Sequence, residues 1–339
     1  CIRDRDEPEF ELVDALRDAF QQHRYFDVFV EYAKSSQEDL LCRITVVNRG
    51  PETAPIHILP HLWYRNTWSW GYDRPRPELQ SIAVGAVYTQ SRHLGERWWY
   101  VDSQDETTLS RTGGGVVPLL FTENETNAEL LFGSPNATRY VKDGINDAVV
   151  QGVSDRTDPR QRGTKVAAHF QAAIPSGEAF TVRVRFSDVP HEDAFSDFEG
   201  VFGRRIKEAD DFYAAIQRPG LSEDERRVQR QALAGLMWTK QFYHFNVELW
   251  LQGDPAQPPP PESRKVGRNR EWMHLNNLDV LSMPDKWEYP WFAAWDLAFH
   301  TVSIALIDPE WAKRQLLLLL REWYMHPNGQ IPAYEWELG

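Results

Sequence analysis

The period of the hydrophobic pattern changes once along the chain, and this change constrains the fold more than any other feature. Apolar residues recur at every second position over 26–32, 40–47 and 180–186, between turns rich in Gly, Pro and Asn. Such alternation is typical of β-strands, and many strands in series favour a sandwich of antiparallel sheets. After about Gly203 the spacing becomes helical. The sequence therefore predicts a β-sandwich domain over 1–203.

Two further segments have the signals of helices. Residues 204–220 predict a linker helix that stops at Arg218-Pro219-Gly220. Ser222 and Glu225 have the spacing of a capping box, in which each residue satisfies a backbone N–H at the helix start. The composition after this box predicts one long helix that reaches to about Val247.

A later helix start is marked by Asp308-Pro309, because Asp is favoured at the N-cap and Pro at the first helical position. This helix should end before Pro327 and leave Asn328-Gly329 as a turn. Aromatic clusters lie just before and just after the predicted helices, and in an α/α barrel such loops gather at one mouth. We interpret 221–339 as the first hairpins of a truncated helical barrel. The predicted fold class is α+β and multidomain: an antiparallel β-sandwich, a linker helix and part of a barrel.

The charge balance argues against two classes of partner. Asp and Glu number 50 against 37 Lys and Arg, a formal net charge of −13. Nucleic acid and anionic membranes both require clustered positive charge, so neither is expected as a partner. Only two cysteines occur, Cys1 and Cys42, which favours a reducing compartment and a cytoplasmic location. The oligomeric state stays open.

No sequence motif indicates a cofactor. A phosphate-binding loop, a dinucleotide fingerprint and zinc-ligand spacing are all absent from the sequence, so neither a cofactor nor a metal is expected. No apolar run has the length needed to cross a bilayer. The chain starts at Cys1 and stops at Gly339, directly after an aromatic cluster, and we expect a fragment of a longer protein.

Tryptophan and acidic residues crowd two segments, 287–300 and 326–336. Flat aromatic rings pack on the apolar C–H face of a pyranose, and carboxylates accept hydrogen bonds from its hydroxyls. A core alone would use Leu, Ile and Val, which bring no polar atom in need of a partner. The sequence therefore predicts a carbohydrate site. Its candidate substrate-binding residues are Trp291, Trp295, Asp296, Asn328, Tyr334 and Glu335, together with Trp70 from the N-terminal region.

Each of these candidates also has a purely structural interpretation. Asp296 could cap a helix, and of Trp291 and Trp295 we expect one to line the pocket and the other to be buried. His300 lies four residues after Asp296, on a similar helix face, and is expected to be a core histidine. Asn328 is first a turn residue. Glu335 could instead form an ion pair at the rim of the pocket.

Trp68 and Trp70 are expected to alternate on one strand face. In that position they would either pack the sandwich against the barrel or overhang the pocket as a distal subsite, and packing is the favoured interpretation.

The aromatic segments resemble those of glycoside hydrolase family 63, which includes processing α-glucosidases and bacterial hydrolases of glucosyl- or mannosylglycerate. The resemblance is strongest in Trp295-Asp296-x-x-Phe299-His300, with Trp291 before it and the 328–332 turn after it. The stretches 24–34 and 65–71 are similar to the sandwich domain of long bacterial members.

The resemblance implies an (α/α)6 barrel of six helical hairpins, preceded by a β-sandwich, and an inverting α-glucosidase-like mechanism that uses one carboxylic acid and one carboxylate. It further implies that Asp296 holds hydroxyls of the terminal sugar. The general acid and base would both lie beyond Gly339, so no catalytic residue is expected within the chain, and the fragment by itself should be inactive.

Two other functions remain open at this point. Several glycoside phosphorylases also join a β-sandwich to an α/α barrel, and they bind phosphate where a hydrolase has its base. A non-catalytic carbohydrate-binding protein would bind sugar without turnover. The identity of the sugar and its linkage depend on pocket geometry that the sequence does not give.

Overall fold

The computed structural model describes residues 12–72, 75–102, 116–284 and 293–331. Internal contacts divide the chain into two compact units. The first unit contains residues 1–69 and 73–206, and the second contains 70–72 and 207–339. The finer division into 1–203, 204–220 and 221–339 stays a prediction.

The strands of the first unit form antiparallel sheets. They are β1 Phe26–Lys34, β2 Leu40–Asn48, β3 Ala54–Ile58, β4 His61–Trp63, β5 Glu78–Ala83, β6 Ala86–Ser91, β7 Gly95–Val101, β8 Leu119–Thr122, β9 Arg162–Gly163, β10 Lys165–Ala168, β11 Phe170–Ile174 and β12 Ala179–Ser187. The strands predicted over 26–32, 40–47 and 180–186 are confirmed.

These strands combine into one large and two small sheets within the described residues. Seven strands form the large sheet in the order β1-β2-β12-β7-β6-β5-β9, while β4-β10-β8 and β11-β3 form the smaller ones. The long central pairing places Val46 opposite Phe180 and Ile44 opposite Val182. Because successive side chains point to opposite faces, this register sends one apolar set inward.

The core of this unit lies between the inward faces of its sheets. Phe121, Val166, Phe170, Phe180 and Val182 are fully buried in it. Strand β1, at the edge of the large sheet, differs from the central strands. Its apolar residues alternate as they would in a strand with one buried face, but most of them are about half exposed. The first unit is therefore a sandwich-like assembly of antiparallel sheets, and the described part of the chain is mixed α and β.

The helices of the described residues are concentrated after residue 197. They are α1 Leu12–Ala15, α2 Arg17–Gln21, α3 Ala128–Phe132, α4 Gly144–Val150, α5 Phe198–Ile216, α6 Glu223–Trp238, α7 Val247–Gln252, α8 Ala294–Ile304 and α9 Pro309–Leu319. Helix α5 starts six residues before the predicted linker helix, because Phe198, Val201 and Phe202 bury against Ala33 and Leu41. None of these helices is long and apolar enough to cross a bilayer.

The predicted capping box is confirmed at the start of α6. The Ser222 hydroxyl accepts from the Glu225 N–H at 3.3 Å, and the Glu225 carboxylate accepts from the Ser222 N–H at 2.7 Å. The helix does not continue to Val247 as predicted. It ends at Trp238, and Lys240–Asn246 forms strand β13, which pairs with β14 Asn276–Ser282. Aromatic residues in 242–245 favour a strand, and they pair with a partner that is remote in sequence.

The predicted start of α9 is also confirmed. Asp308 is the N-cap, its carboxylate accepts from the Trp311 N–H at 3.1 Å, and Pro309 is the first helical residue. Helices α8 and α9 pack against each other, joined by residues 305–308. The 328–329 turn forms as well, with Gly329 at a φ of 83° that favours glycine.

Candidate functional site

The first turn of helix α8 presents Trp295 and Asp296. The side chain of Trp295 is 61% exposed, whereas Asp296 is half-buried. The N-cap of α8 is Ala293, so the capping interpretation of Asp296 is wrong. Asp296 lies instead at the third helical position, in the first turn, where acidic residues are favoured by the partial positive charge of the helix N-terminus. Trp295 is therefore not the buried member of the Trp291 and Trp295 pair.

Behind this turn, a chain of hydrogen bonds holds His300. Its Nδ1 lies 2.7 Å from Oγ of Ser282, and this Oγ lies 2.7 Å from Oγ1 of Thr239. The Thr239 hydroxyl donates its proton to the carbonyl oxygen of Leu236 at 2.6 Å. Thr239 must therefore accept from Ser282, and Ser282 must accept from His300. The network assigns the Nδ1–H tautomer to His300 and leaves the Nε2 lone pair as its acceptor.

The charge state of His300 follows from its surroundings. Burial lowers its pKa from the ordinary value of 6.5, and the carboxylate of Asp296 opposes part of this decrease. A neutral imidazole that positions the helix agrees with the predicted core histidine. Ser282 is only 1% exposed and gives its proton to Thr239, so this serine cannot act as a nucleophile.

The 326–331 turn uses Asn328 for its own structure. The side-chain oxygen of Asn328 accepts from the Gln330 N–H at 2.9 Å, and its amide nitrogen donates to the Gln330 side chain at 3.2 Å. The turn is anchored by Trp272, whose indole N–H donates to the carbonyl oxygen of Met325 at 3.2 Å. Sugar contact by Asn328 stays a prediction.

The segment before this turn meets helix α8 in one core. Tyr324, Leu297, Ala294 and Leu281 pack together there. The structure thus brings the region of Asp296 and the approach to the 328–329 turn against the same buried cluster. Trp291, Tyr334 and Glu335 lie outside the described residues.

Trp68 and Trp70 are not on a strand as predicted. They belong to a 3₁₀ turn, Trp68–Trp70, whose three-residue repeat replaces strand alternation. The indole N–H of Trp68 donates to Glu125 at 3.0 Å, within the first unit. Trp70 is half-buried in the second unit, where its carbonyl oxygen accepts from the Ala256 N–H at 3.0 Å. A strand face shared by the two rings is therefore wrong.

Sequence reasoning missed two polar residues on one face of the two-stranded β13–β14 sheet. The register places Asn277 opposite Phe245 and Asp279 opposite Tyr243, on the same face. The hydroxyl of Tyr324 donates to the Asp279 carboxylate at 2.9 Å. Burial, together with this bond, raises the pKa of Tyr324. Asp279 and Tyr324 are 45 positions apart, and no spacing signal could have identified this pair.

One open cavity of about 490 Å³ lies on the large sheet of the first unit. Its charged lining is paired: Arg43 donates to both oxygens of Glu31, at 2.8 and 3.1 Å, and to Glu199 at 3.2 Å. Arg183, which also lines the cavity, donates to Asp102 outside it at 2.8 Å. The hydroxyls of Thr45 and Thr181 bond each other at 3.2 Å. These groups satisfy one another, so nothing in this cavity requires a ligand.

In the part of the chain that the structure describes, no group of three or more His, Cys, Asp or Glu side chains could hold a metal ion.

Comparison with known proteins gives one sequence relative of substantial similarity. The chain is 41% identical over 368 residues to the uncharacterized protein YMR196W of Saccharomyces cerevisiae, an alignment that covers 98% of this chain and 34% of the relative. The chain thus spans about a third of the length of that curated relative. No protein-family model matches this chain.

Two solved structures show weak likeness. A polysaccharide lyase has a TM-score of 0.26 and 10% identity, covering 48% of this chain and 20% of that chain. A putative kojibiose phosphorylase from human microbiome has a TM-score of 0.23 and 10% identity, covering 63% of this chain and 22% of that chain. Scores this low carry no argument about function.

Proposed function

We propose that the chain is part of an inverting glycoside hydrolase that acts on α-glucosides or related small glycosides, of oligosaccharide or glucosylglycerate type. Its sandwich would occupy 1–203, its linker helix 204–220 and the first hairpins of an (α/α)6 barrel 221–339. The observation that carries the proposal is that the exposed ring of Trp295 and the half-buried carboxylate of Asp296 occupy consecutive positions in the first turn of α8. This chain would supply sugar recognition, and the general acid and base would come from another part of the longer protein.

The geometry of α8 supports recognition chemistry. An exposed indole offers an apolar face of the size of a pyranose, and an ionised carboxylate accepts two hydroxyl protons in charge-assisted hydrogen bonds. The hydrogen bond from His300 to Ser282 fixes the orientation of the helix behind both groups. Inversion requires two carboxyl groups separated by about 6.5–9.5 Å with a water between them. Asp296, placed at a helix start with an aromatic neighbour, suits hydroxyl binding better than either of those roles.

The test uses the full-length protein that contains this chain. Release of sugar from a panel of α-glucosides and from glucosylglycerate is followed by proton NMR, with and without phosphate, for the unchanged protein and for Asp296→Asn. We expect phosphate-independent release of the inverted anomer, and we expect Asp296→Asn to lose most of this activity. Strict dependence on phosphate would assign the protein to the phosphorylases, and binding without turnover would make it a carbohydrate-binding protein.

Matched variants separate sugar contact from packing. Glu310 is an exposed carboxylate in the first turn of α9, and Glu310→Gln should leave activity unchanged. Phe299 is 70% exposed one turn after Trp295. Trp295→Ala should raise KM much more than Phe299→Ala does. Equal effects of the two substitutions on KM and on the melting temperature would show that Trp295 serves packing only.

A further inference from the structure

The two edges of the seven-stranded sheet differ in how they are protected. A strand at the edge of a sheet presents unpaired N–H and C=O groups, and natural proteins shorten, cover or charge such strands to prevent association. At one edge, strand β9 has only two residues, Arg162–Gly163. At the other edge, β1 has nine residues, Phe26–Lys34, which pair with β2 in one uninterrupted register. The β1 edge therefore lacks the shortening that protects the β9 edge.

The side of β1 that faces away from β2 has no backbone hydrogen-bond partner among the described residues. Because backbone groups of an antiparallel strand point alternately to its two sides, about half of the N–H and C=O groups of β1 point to this open side. The strand contains no proline and no bulge. Its acidic side chains are paired, Asp27 with Arg49 at 2.7 Å and Glu31 with Arg43 at 2.8 Å. Nothing in β1 itself therefore prevents another strand from pairing with it.

The apolar side chains of β1 are uncovered on the face that the sandwich buries elsewhere. Val28 and Val30 lie opposite Val46 and Ile44 of β2, on the same face of the sheet. Val46 is 1% exposed and belongs to the core. By contrast Val28, Val30 and Tyr32 are 54%, 49% and 55% exposed. The buried core thus stops one strand short of the edge, and it leaves an apolar row there.

The chemistry of the missing partner follows from these two features. Pairing with the open side requires an extended segment. Covering the row of Val28, Val30 and Tyr32 requires apolar side chains at every second position of that segment. The chain spans about a third of the length of its curated relative, so a longer protein of this kind has about two-thirds of its sequence in which to carry such a strand.

A second copy of the chain fits the edge less well. Two-fold pairing of β1 with itself joins residues of the same face. Registers displaced from the centre place Asp27 opposite Glu31, or Glu31 opposite itself, and like charges in these positions repel. The centred register, with Val30 opposite itself, avoids this repulsion. It lengthens the apolar row, however, and adds no second layer to cover it.

We propose that β1 pairs with an additional strand from the part of the longer protein that lies outside this chain. The strand takes up the open N–H and C=O groups and places apolar side chains beside Val28, Val30 and Tyr32. The core of the sandwich then extends to the last strand of the sheet. This inference concerns the first unit and does not depend on the proposed function.

Hydrogen exchange of the full-length protein tests the pairing, read by mass spectrometry on peptides that cover 26–34. With a partner on one side only, about half of these amides should exchange rapidly. With strands on both sides, we expect nearly all of them to exchange slowly. Pairing within one chain also gives the same result at protein concentrations that differ about a hundredfold, because it does not follow mass action.

A matched pair of variants tests the apolar row. Val30→Lys should accelerate exchange over 26–34 at least about tenfold, because lysine removes the apolar contact and brings a charge that has no buried partner. Val84 is 56% exposed in the turn between β5 and β6, and Val84→Lys should leave this exchange unchanged. Slow exchange over 179–187, in the centre of the sheet, reports that each variant is folded.

Each other outcome overturns the inference. Rapid exchange of about half of the 26–34 amides in the unchanged protein would show that the edge is open. Slow exchange that appears only at the higher concentration, with a dimer in light scattering, would assign the edge to a second copy. If Val30→Lys and Val84→Lys have the same effect on a folded protein, the row is not covered by a strand.

Discussion

Arg185 on strand β12 is almost completely buried, with a side chain that is 3% exposed. Its guanidinium donates to both carboxylate oxygens of Asp39, at 2.9 and 2.5 Å, and to the carbonyl oxygen of Ala194 at 2.9 Å. The Asp39 side chain is 7% exposed. Asp39→Ala would leave a buried guanidinium with one carboxylate, Asp197, which is 48% exposed. Removing one partner of a buried ion pair costs about 3–5 kcal/mol, and we expect that loss in the free energy of unfolding.

Urea unfolding followed by circular dichroism measures this loss. With a slope of about 1–3 kcal/mol per molar urea, the midpoint for Asp39→Ala should decrease by at least about 1 M. Asp197→Ala is the matched control, and it should cost less than about 1 kcal/mol because its carboxylate is half exposed. Replacing the pair together, by Asp39→Leu with Arg185→Met, should destabilise less than Asp39→Ala alone. Equal losses for Asp39→Ala and Asp197→Ala would refute the reasoning.

Three further predictions concern single residues. Ser222→Ala removes the hydroxyl of the capping box and should lower the free energy of unfolding by about 1 kcal/mol, measured by urea unfolding. Burial lowers the pKa of His61 to about 4 from 6.5, so the unfolded chain binds this proton more readily. Stability should therefore decrease as pH falls from 6.5 towards 4, and His61→Gln should flatten the decrease in thermal melts. Asp296→Asn removes the attraction that opposes burial of His300, so the pKa of His300 should fall further, as an NMR titration of the imidazole would show.

The parts of the fold that could be predicted from the sequence are those with local causes. Strands β2 and β12 follow from period-two patterns, and the starts of α6 and α9 follow from caps within four residues. The predicted end of α6 was wrong because the Ala- and Gln-rich sequence before residue 240 extended the expected helix over 240–246. The aromatic residues of 242–245 favour a strand, and their strand partner, 276–282, is remote in sequence.

The candidate site likewise contains residues that could be predicted from the sequence and residues that could not. Trp295 and Asp296 stand next to each other in the sequence, and their chemistry could be inferred from residue type alone. The hydrogen-bonded chain Thr239–Ser282–His300 could not be inferred in this way. Thr239 and Ser282 are 43 positions apart, and Ser282 and His300 are 18 positions apart. They become neighbours only through the β13–β14 register and the packing of α8.

The register of strand β14 connects these features. A sheet of only two strands is marginally stable by itself in water. The β13–β14 sheet therefore depends on the core in which Leu281 packs with Leu297 and Tyr324. Ser282 directly follows Leu281 and points to the opposite face, where it accepts the hydrogen bond from His300. A shift of one residue would expose the leucine and lose the bond to the imidazole together. The packing of one leucine therefore also fixes the helix turn that presents the proposed sugar-binding pair.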